Sequence, residues 1–187
     1  MIKDIVNHTD PILREEMPAF DFANPIMDPV ELYKDLAETM IDADGMGLSA
    51  NQIGVRTRMF VMRAENVIGV INPRIIDVSS EMVTLEEGCL SYPNLFVKVK
   101  RPKFIKVRFT HPDGNTETKK FDGITARVFQ HELDHLKGKL YIDYLDSLDQ
   151  LIAVSGDEGG EGSEVDPESP EGKRAKRAAR AAEAHSH

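Results

Sequence analysis

Between Asp28-Pro29 and Asp44-Gly45, apolar residues return every four positions, at Leu32, Leu36 and Met40. A capping acid and a proline in front, an apolar stripe at helical spacing, and Asp-Gly behind predict one amphipathic helix near the amino terminus. The period then changes. The stretches 57–63 (TRMFVMR), 67–73 (VIGVINP), 96–100 (FVKVK) and 103–109 (KFIKVRF) are rich in β-branched and aromatic residues with partial alternation, which predicts sheet strands. Residues 111–115 (HPDGN) have the composition of a hairpin turn and join the last of these to 116–121 (TETKKF), so the strands are expected to run antiparallel. A second helix is predicted from near Asp122, with Ile124, Val128 and Leu136 on related faces, and it sets residues 130–135 on an ordered frame. No internal repeat interrupts this order. The fold class expected is α+β: antiparallel sheets packed around a central helix, with an amino-terminal amphipathic helix.

The pattern stops near residue 154. From Ser155 the chain reads SGDEGGEGSEVDPESPEG, with almost nothing to bury, and then KRAKRAARAAEA, which favours a solvated helix. We therefore expect a catalytic-sized domain over 1–154 and a disordered, acidic-then-basic, low-complexity tail over 155–187. A chain of 187 residues accommodates one such core and little more.

Charge narrows the function classes. The net charge is −9, and the tail holds eight acids against five bases, so the body is acidic too. A general phosphate-binding face is disfavoured, and with it DNA as a partner. No apolar run approaches the roughly 18 residues of a spanning helix, and the start, MIKDIVNHTD, lacks the order of a secretion signal. The expectation is a cytoplasmic protein with no membrane partner. A single cysteine, Cys89, excludes an intrachain disulfide and leaves a thiol that is inert, reactive or a ligand.

Three stretches carry candidate chemistry. In His131-Glu132-Leu133-Asp134-His135 the two histidines lie four apart on one helix face and can send both imidazoles to one metal ion, with Glu132 beside them to handle protons. In Glu87-Gly88-Cys89-Leu90-Ser91 the only cysteine precedes a proline-marked turn; with two histidines it would complete three protein ligands and leave a fourth position for water. In Gly45-Met46-Gly47-Leu48-Ser49-Ala50-Asn51-Gln52 small residues let backbone approach a ligand, and Gln52 can donate to an oxygen that gains charge. On the residues alone, a zinc endopeptidase and a structural metal in a binding module also remain open.

Taken together and in this order, GMGLSANQ at 45–52, EGCLS at 87–91 and QHELDHL at 130–136, with Leu13-Arg14 near the amino terminus, resemble the peptide deformylase family over roughly residues 1–150. The resemblance implies removal of the formyl group from the amino-terminal formylmethionine of nascent polypeptides, with release of formate. It implies that Cys89, His131 and His135 hold the metal, that Glu132 is general base and acid as a metal-activated water attacks, and that the Gln52 side chain and Leu90 N–H bind the oxyanion. Gly47 would hold the substrate backbone extended. Met46, Leu85 and Val128, apolar and at or beside these motifs, are candidates for the methionine pocket. Family members typically use Fe(II), and the same ligands accept zinc, nickel or cobalt.

Three departures stand out. Ser49 replaces the usual alanine, and Phe96 stands where many bacterial members have an arginine. The run after Asp143-Tyr144-Leu145 is broken by Gly, Asp and Glu where a long carboxy-terminal helix is usual. The basic 173–180 segment is then the candidate ribosome contact, by charge alone. Short members of the family occur in phages, so the pattern is compatible with a viral chain expressed in a bacterial cytoplasm.

Overall fold

A computed structural model of the chain describes residues 1–153. The expected tail, 155–187, lies outside the described residues.

Helix α1 (Pro29–Asp42) begins where the pattern places it: Asp28 accepts hydrogen bonds from the Val30 and Glu31 N–H groups, and Pro29 occupies the first turn. It buries Leu32, Leu36, Ala37, Thr39 and Met40. The chain then builds strands β1 (Gly47–Ser49), β2 (Met59–Arg63), β3 (Val67–Val78), β4 (Met82–Cys89), β5 (Tyr92–Pro102), β6 (Phe104–Thr110) and β7 (Thr116–Asp122), helix α2 (Gly123–Leu136) and strand β8 (Leu151–Ala153). A five-stranded sheet has the order β1-β2-β3-β6-β7 and a three-stranded sheet the order β4-β5-β8. Every pairing is antiparallel.

The five-stranded sheet is covered on both faces. Met59, Val61 and Ile71 pack into one cluster with Leu32, Leu36 and Met40 of α1. Phe60, Met62, Val70, Ile105, Val107 and Phe109 pack into another with Ala126, Phe129, Leu133 and Leu136 of α2. Burial on both sides is why β2 reads as a continuous apolar run instead of an alternation. β6, by contrast, keeps Lys106 and Arg108 exposed between Ile105, Val107 and Phe109.

Three strands escape the sequence pattern. β1 and β8 have three residues each, too few to show a period. β4 carries Thr84, Glu86 and Glu87 among its apolar residues and pairs Glu86 with Lys98 and Thr84 with Lys100 across to β5, a polar ladder whose sense appears only with the register. Ile124 also differs from its expected role: it is 57% exposed, because it lies in the first turn of α2 and faces a surface cleft with Leu85, while Leu136 is fully buried. Past Tyr144 the chain passes through a short 3₁₀ turn (Leu148–Gln150) into β8. Among the described residues no helix is long and apolar enough to cross a membrane.

Asn72 ties the amino-terminal segment to the sheet. It sits at φ 49°, and its side chain accepts from the Phe20 N–H and donates to the Phe20 carbonyl. Replacing Asn72 with Ala removes both bonds and places a Cβ residue without local compensation in the left-handed region, so we expect a loss of about 2 kcal/mol in urea denaturation, with the cooperativity of the transition unchanged.

Candidate metal centre

The two histidines owe their place to α2 and the cysteine to β4. His131 and His135 are one helical step apart, with ring centroids 5.0 Å from each other. Cys89 ends β4 just where the pairing with β5 jumps from Gly88↔Phe96 to Cys89↔Tyr92, and this irregularity turns the thiol toward the helix. The Cys89 Sγ and His135 Nε2 atoms are 3.4 Å apart, and the ligand atoms of Cys89, His131 and His135 all lie within 4.8 Å of one another. One thiolate and two imidazoles at that separation suit a borderline-soft divalent ion such as Fe(II), Co(II), Ni(II) or Zn(II), and three donors leave a further coordination position.

The electrostatics point the same way. Burial disfavours charge on His131, but Cys89 and Glu87 beside it outweigh burial and lift it to about 10. His135, equally enclosed, is pushed well below the usual range by burial and by His131. His135 is thus held neutral, with its lone pair available, and the proton favoured on His131 is the one an ion would have to displace. His135 Nδ1 has no partner among the described residues, while His131 Nδ1 meets Glu87 Oε1 at 2.9 Å. The latter contact leaves the other ring nitrogen of His131 free to ligate.

Glu87 is the hub behind these donors. Arg101 grips it with two hydrogen bonds of 2.7 and 2.9 Å, and Arg127 Nη1 adds a third at 2.8 Å. Arg127 also donates to the carbonyls of Val99 on β5 and Val83 on β4, and Arg101 reaches on to Asp134 at 2.7 Å and the Tyr144 hydroxyl at 3.1 Å. Two carboxylates and two guanidiniums, all nearly buried, balance in charge. The sequence motifs included Glu87 without a role and passed over Arg101 and Arg127. Arg127, one helical step before His131, was detectable from spacing; Arg101 was not.

The remaining motif lies on β1 and the turn after it. Gln52 is 1% exposed; its Oε1 accepts from the Ser49 N–H, and its Nε2 is 3.5 Å from Cys89 Sγ and 3.2 Å from Ser91 Oγ. The amide donor is therefore aimed at Cys89 and Ser91. Glu132, 3% exposed, has its pKa raised by burial. A Cβ on Gly47 would lie 2.5 Å from Glu132 Oε1 and 2.8 Å from its Cγ, so the bare glycine makes room for the carboxylate. Leu90 begins the turn between β4 and β5. Leu85 lines a cleft of about 380 Å³ with Thr84, Glu86, Lys98 and Ile124; Met46 is 48% exposed; Val128 packs against the core under α2. Phe96 lies against Gly88, where an added Cβ would meet its ring at 2.7 Å.

Known proteins carry the same frame. The family pattern for polypeptide deformylase matches residues 2–151. The peptide deformylase of Thermotoga petrophila is 43% identical over 136 residues, covering 72% of this chain and 81% of its own. That of Agrobacterium fabrum is 39% identical over 149 residues, covering 76% and 86%. Among solved structures, the Thermotoga maritima peptide deformylase superposes with a TM-score of 0.75 at 37% identity, covering 79% of this chain and 99% of that one. The Synechococcus elongatus peptide deformylase in complex with actinonin gives 0.74 at 30% identity, covering 79% and 81%. By fold, donor set and relatives, the chain is a metal-dependent hydrolase. It belongs to the polypeptide deformylase family, and its activity is removal of the N-terminal formyl group.

Two outcomes follow from this geometry. Gly47→Ala displaces Glu132, and we expect kcat/KM to fall about 100-fold while metal content, measured by atomic absorption, stays unchanged. Burial opposes ionisation of Glu87, but Arg101 and His131 overcome it and hold the carboxyl below its ordinary 4.5. A depressed folded-state value stabilises fully above the unfolded value and is lost as pH falls through the folded one. Glu87→Gln is therefore expected to cost about 3 kcal/mol at pH 7, with the gap to wild type narrowing only below about pH 4.5 in urea titrations.

Proposed function

We propose that Cys89, His131 and His135 hold the catalytic metal, Fe(II) in the native enzyme, and that Glu132 carries the proton during deformylation of formylmethionyl nascent peptides. The observation that carries this reading is the convergence of the three ligand atoms within 4.8 Å beside the buried Glu132. A divalent ion on these donors supplies Lewis acidity and lowers the pKa of a water toward neutrality.

The chain's own groups do the rest. Glu132 accepts a proton from the attacking water and returns it to the departing amine, so that formate and a free methionyl amino terminus result. Gln52 Nε2 and the Leu90 N–H donate to the former carbonyl oxygen as it gains charge, each worth about 3–4 kcal/mol in a site closed to water. The backbone at Gly47 holds the substrate chain extended. Met46, Leu85 and Val128 flank the methionine side chain, and the exposed Ile124 beside Leu85 extends that apolar surface. Zinc, nickel or cobalt fit the same donors. The protein works in the cytoplasm, on nascent chains, with the basic 173–180 segment as its contact to the ribosome.

The test is formate release from formyl-Met-Ala-Ser by protein loaded anaerobically with Fe(II) or Ni(II). Wild type releases formate; Glu132→Ala keeps its metal and loses turnover by at least about 1,000-fold; Cys89→Ala loses metal and activity together. Full turnover in Glu132→Ala would overturn the assignment, and internal cleavage of an unformylated peptide would indicate a protease.

A further inference from the structure

We propose that Ser49 is a positioning residue for the general base: its hydroxyl ties one oxygen of Glu132 to β1, so that the other oxygen alone handles the proton. This rests on the role proposed for Glu132. The Ser49 side chain is completely buried.

Ser49 Oγ lies 2.6 Å from Glu132 Oε2 and 3.3 Å from the Glu132 carbonyl. A hydroxyl has one proton, and the shorter contact, in the range of a charge-assisted O–H···O⁻ bond, takes it. Glu132 Oε1 lies instead against Gly47, 2.5 Å from where a Cβ there would stand, and among the described residues the carboxylate's hydrogen bond is to Oε2. Residues 47 and 49 share one face of β1, so the strand holds the carboxylate at two points: a bare Cα that admits it and a hydroxyl that fixes it. The mount is rigid, since Ser49 pairs with Phe60 of β2 and its N–H is bonded to Gln52 Oε1.

The bond serves both states of the base. Oε2 accepts from Ser49 when Glu132 is ionised, and it still accepts when Oε1 carries the proton, because the unprotonated oxygen of a carboxylic acid remains an acceptor. The side chain therefore stays in place between taking the proton and giving it back. Without the hydroxyl, the carboxyl turns about its last torsion, which is broad and two-fold, and the proton can reside on the oxygen facing β1. Alanine at 49 would keep the backbone bond to Gln52 and lose only the tie to Glu132, so the substitution isolates the hydroxyl.

The experiment compares wild type with Ser49→Ala, both as full chains loaded with Ni(II) or Co(II). In formate release from formyl-Met-Ala-Ser we expect kcat to fall about tenfold, KM to stay within about twofold, and metal content and the Co(II) absorption spectrum to be unchanged. An unchanged kcat overturns the proposal, as does a loss of kcat accompanied by a raised KM or an altered Co(II) spectrum, which would mark a merely structural role. A crystal structure of Ser49→Ala tests the tie independently of turnover: two orientations of Glu132 support it, and one orientation identical to wild type overturns it. Absence of formate from wild type itself would count against the deformylase roles and leave the crystallographic outcome to judge Ser49.

Discussion

The carboxylate of Glu87 joins two parts of the molecule that share little backbone hydrogen bonding. β4 and β5 form their own sheet with β8, and α2 packs on the five-stranded sheet. Cys89 rides on the first and His131 and His135 on the second, so the three donors meet only when these parts are in register. Arg101 from β5, Arg127 from α2 and Glu87 from β4 make that register by side chains, and His131 joins at Glu87. A buried carboxylate is costly alone; two guanidiniums around it turn the cost into a strong geometric preference. Asp134 and Tyr144 extend the same network to the segment after the helix, so residues far along the chain brace the Cys89, His131 and His135 cluster.

β1 plays the corresponding part for Glu132 and Gln52. Its three residues have no period of their own, yet β2 holds them in line. Leu48 faces the core under α1 while Gly47 and Ser49 face Glu132. The strand thereby transmits the packing of α1 to the chemistry. Gln52, in the turn that follows, points its amide donor at Cys89 because its oxygen is already occupied by the Ser49 N–H. The amino-terminal segment closes this region, with the Val6 N–H donating to the Gln52 carbonyl.

Burial explains both what the pattern of residues reveals and what it hides. α1 and α2 are legible because a cap, a stop and an i, i+4 stripe are local properties, and β2 and β6 because their side chains are apolar where they are covered. β4 is hidden because Glu86 faces Lys98 across the ladder and Glu87 turns to two buried arginines, and Ile124 misleads because an apolar residue at helical spacing faces a cleft instead of the core. Ser49 looks like a minor exchange for alanine until its hydroxyl is seen 2.6 Å from Glu132.

The order of the motifs, the helix carrying His131, Glu132 and His135, and the family were determined by the sequence itself, since each depends on neighbours along the chain or on a run of recognisable residues. The meeting of Cys89 with that helix, the Glu87 hub with Arg101 and Arg127, and the grip of Gly47 and Ser49 on Glu132 were decided only by tertiary structure. They join residues 14 to 85 positions apart, and what selects such partners is not local propensity but the requirement that buried charges be paired and buried donors satisfied once the sheets and helices close on one another.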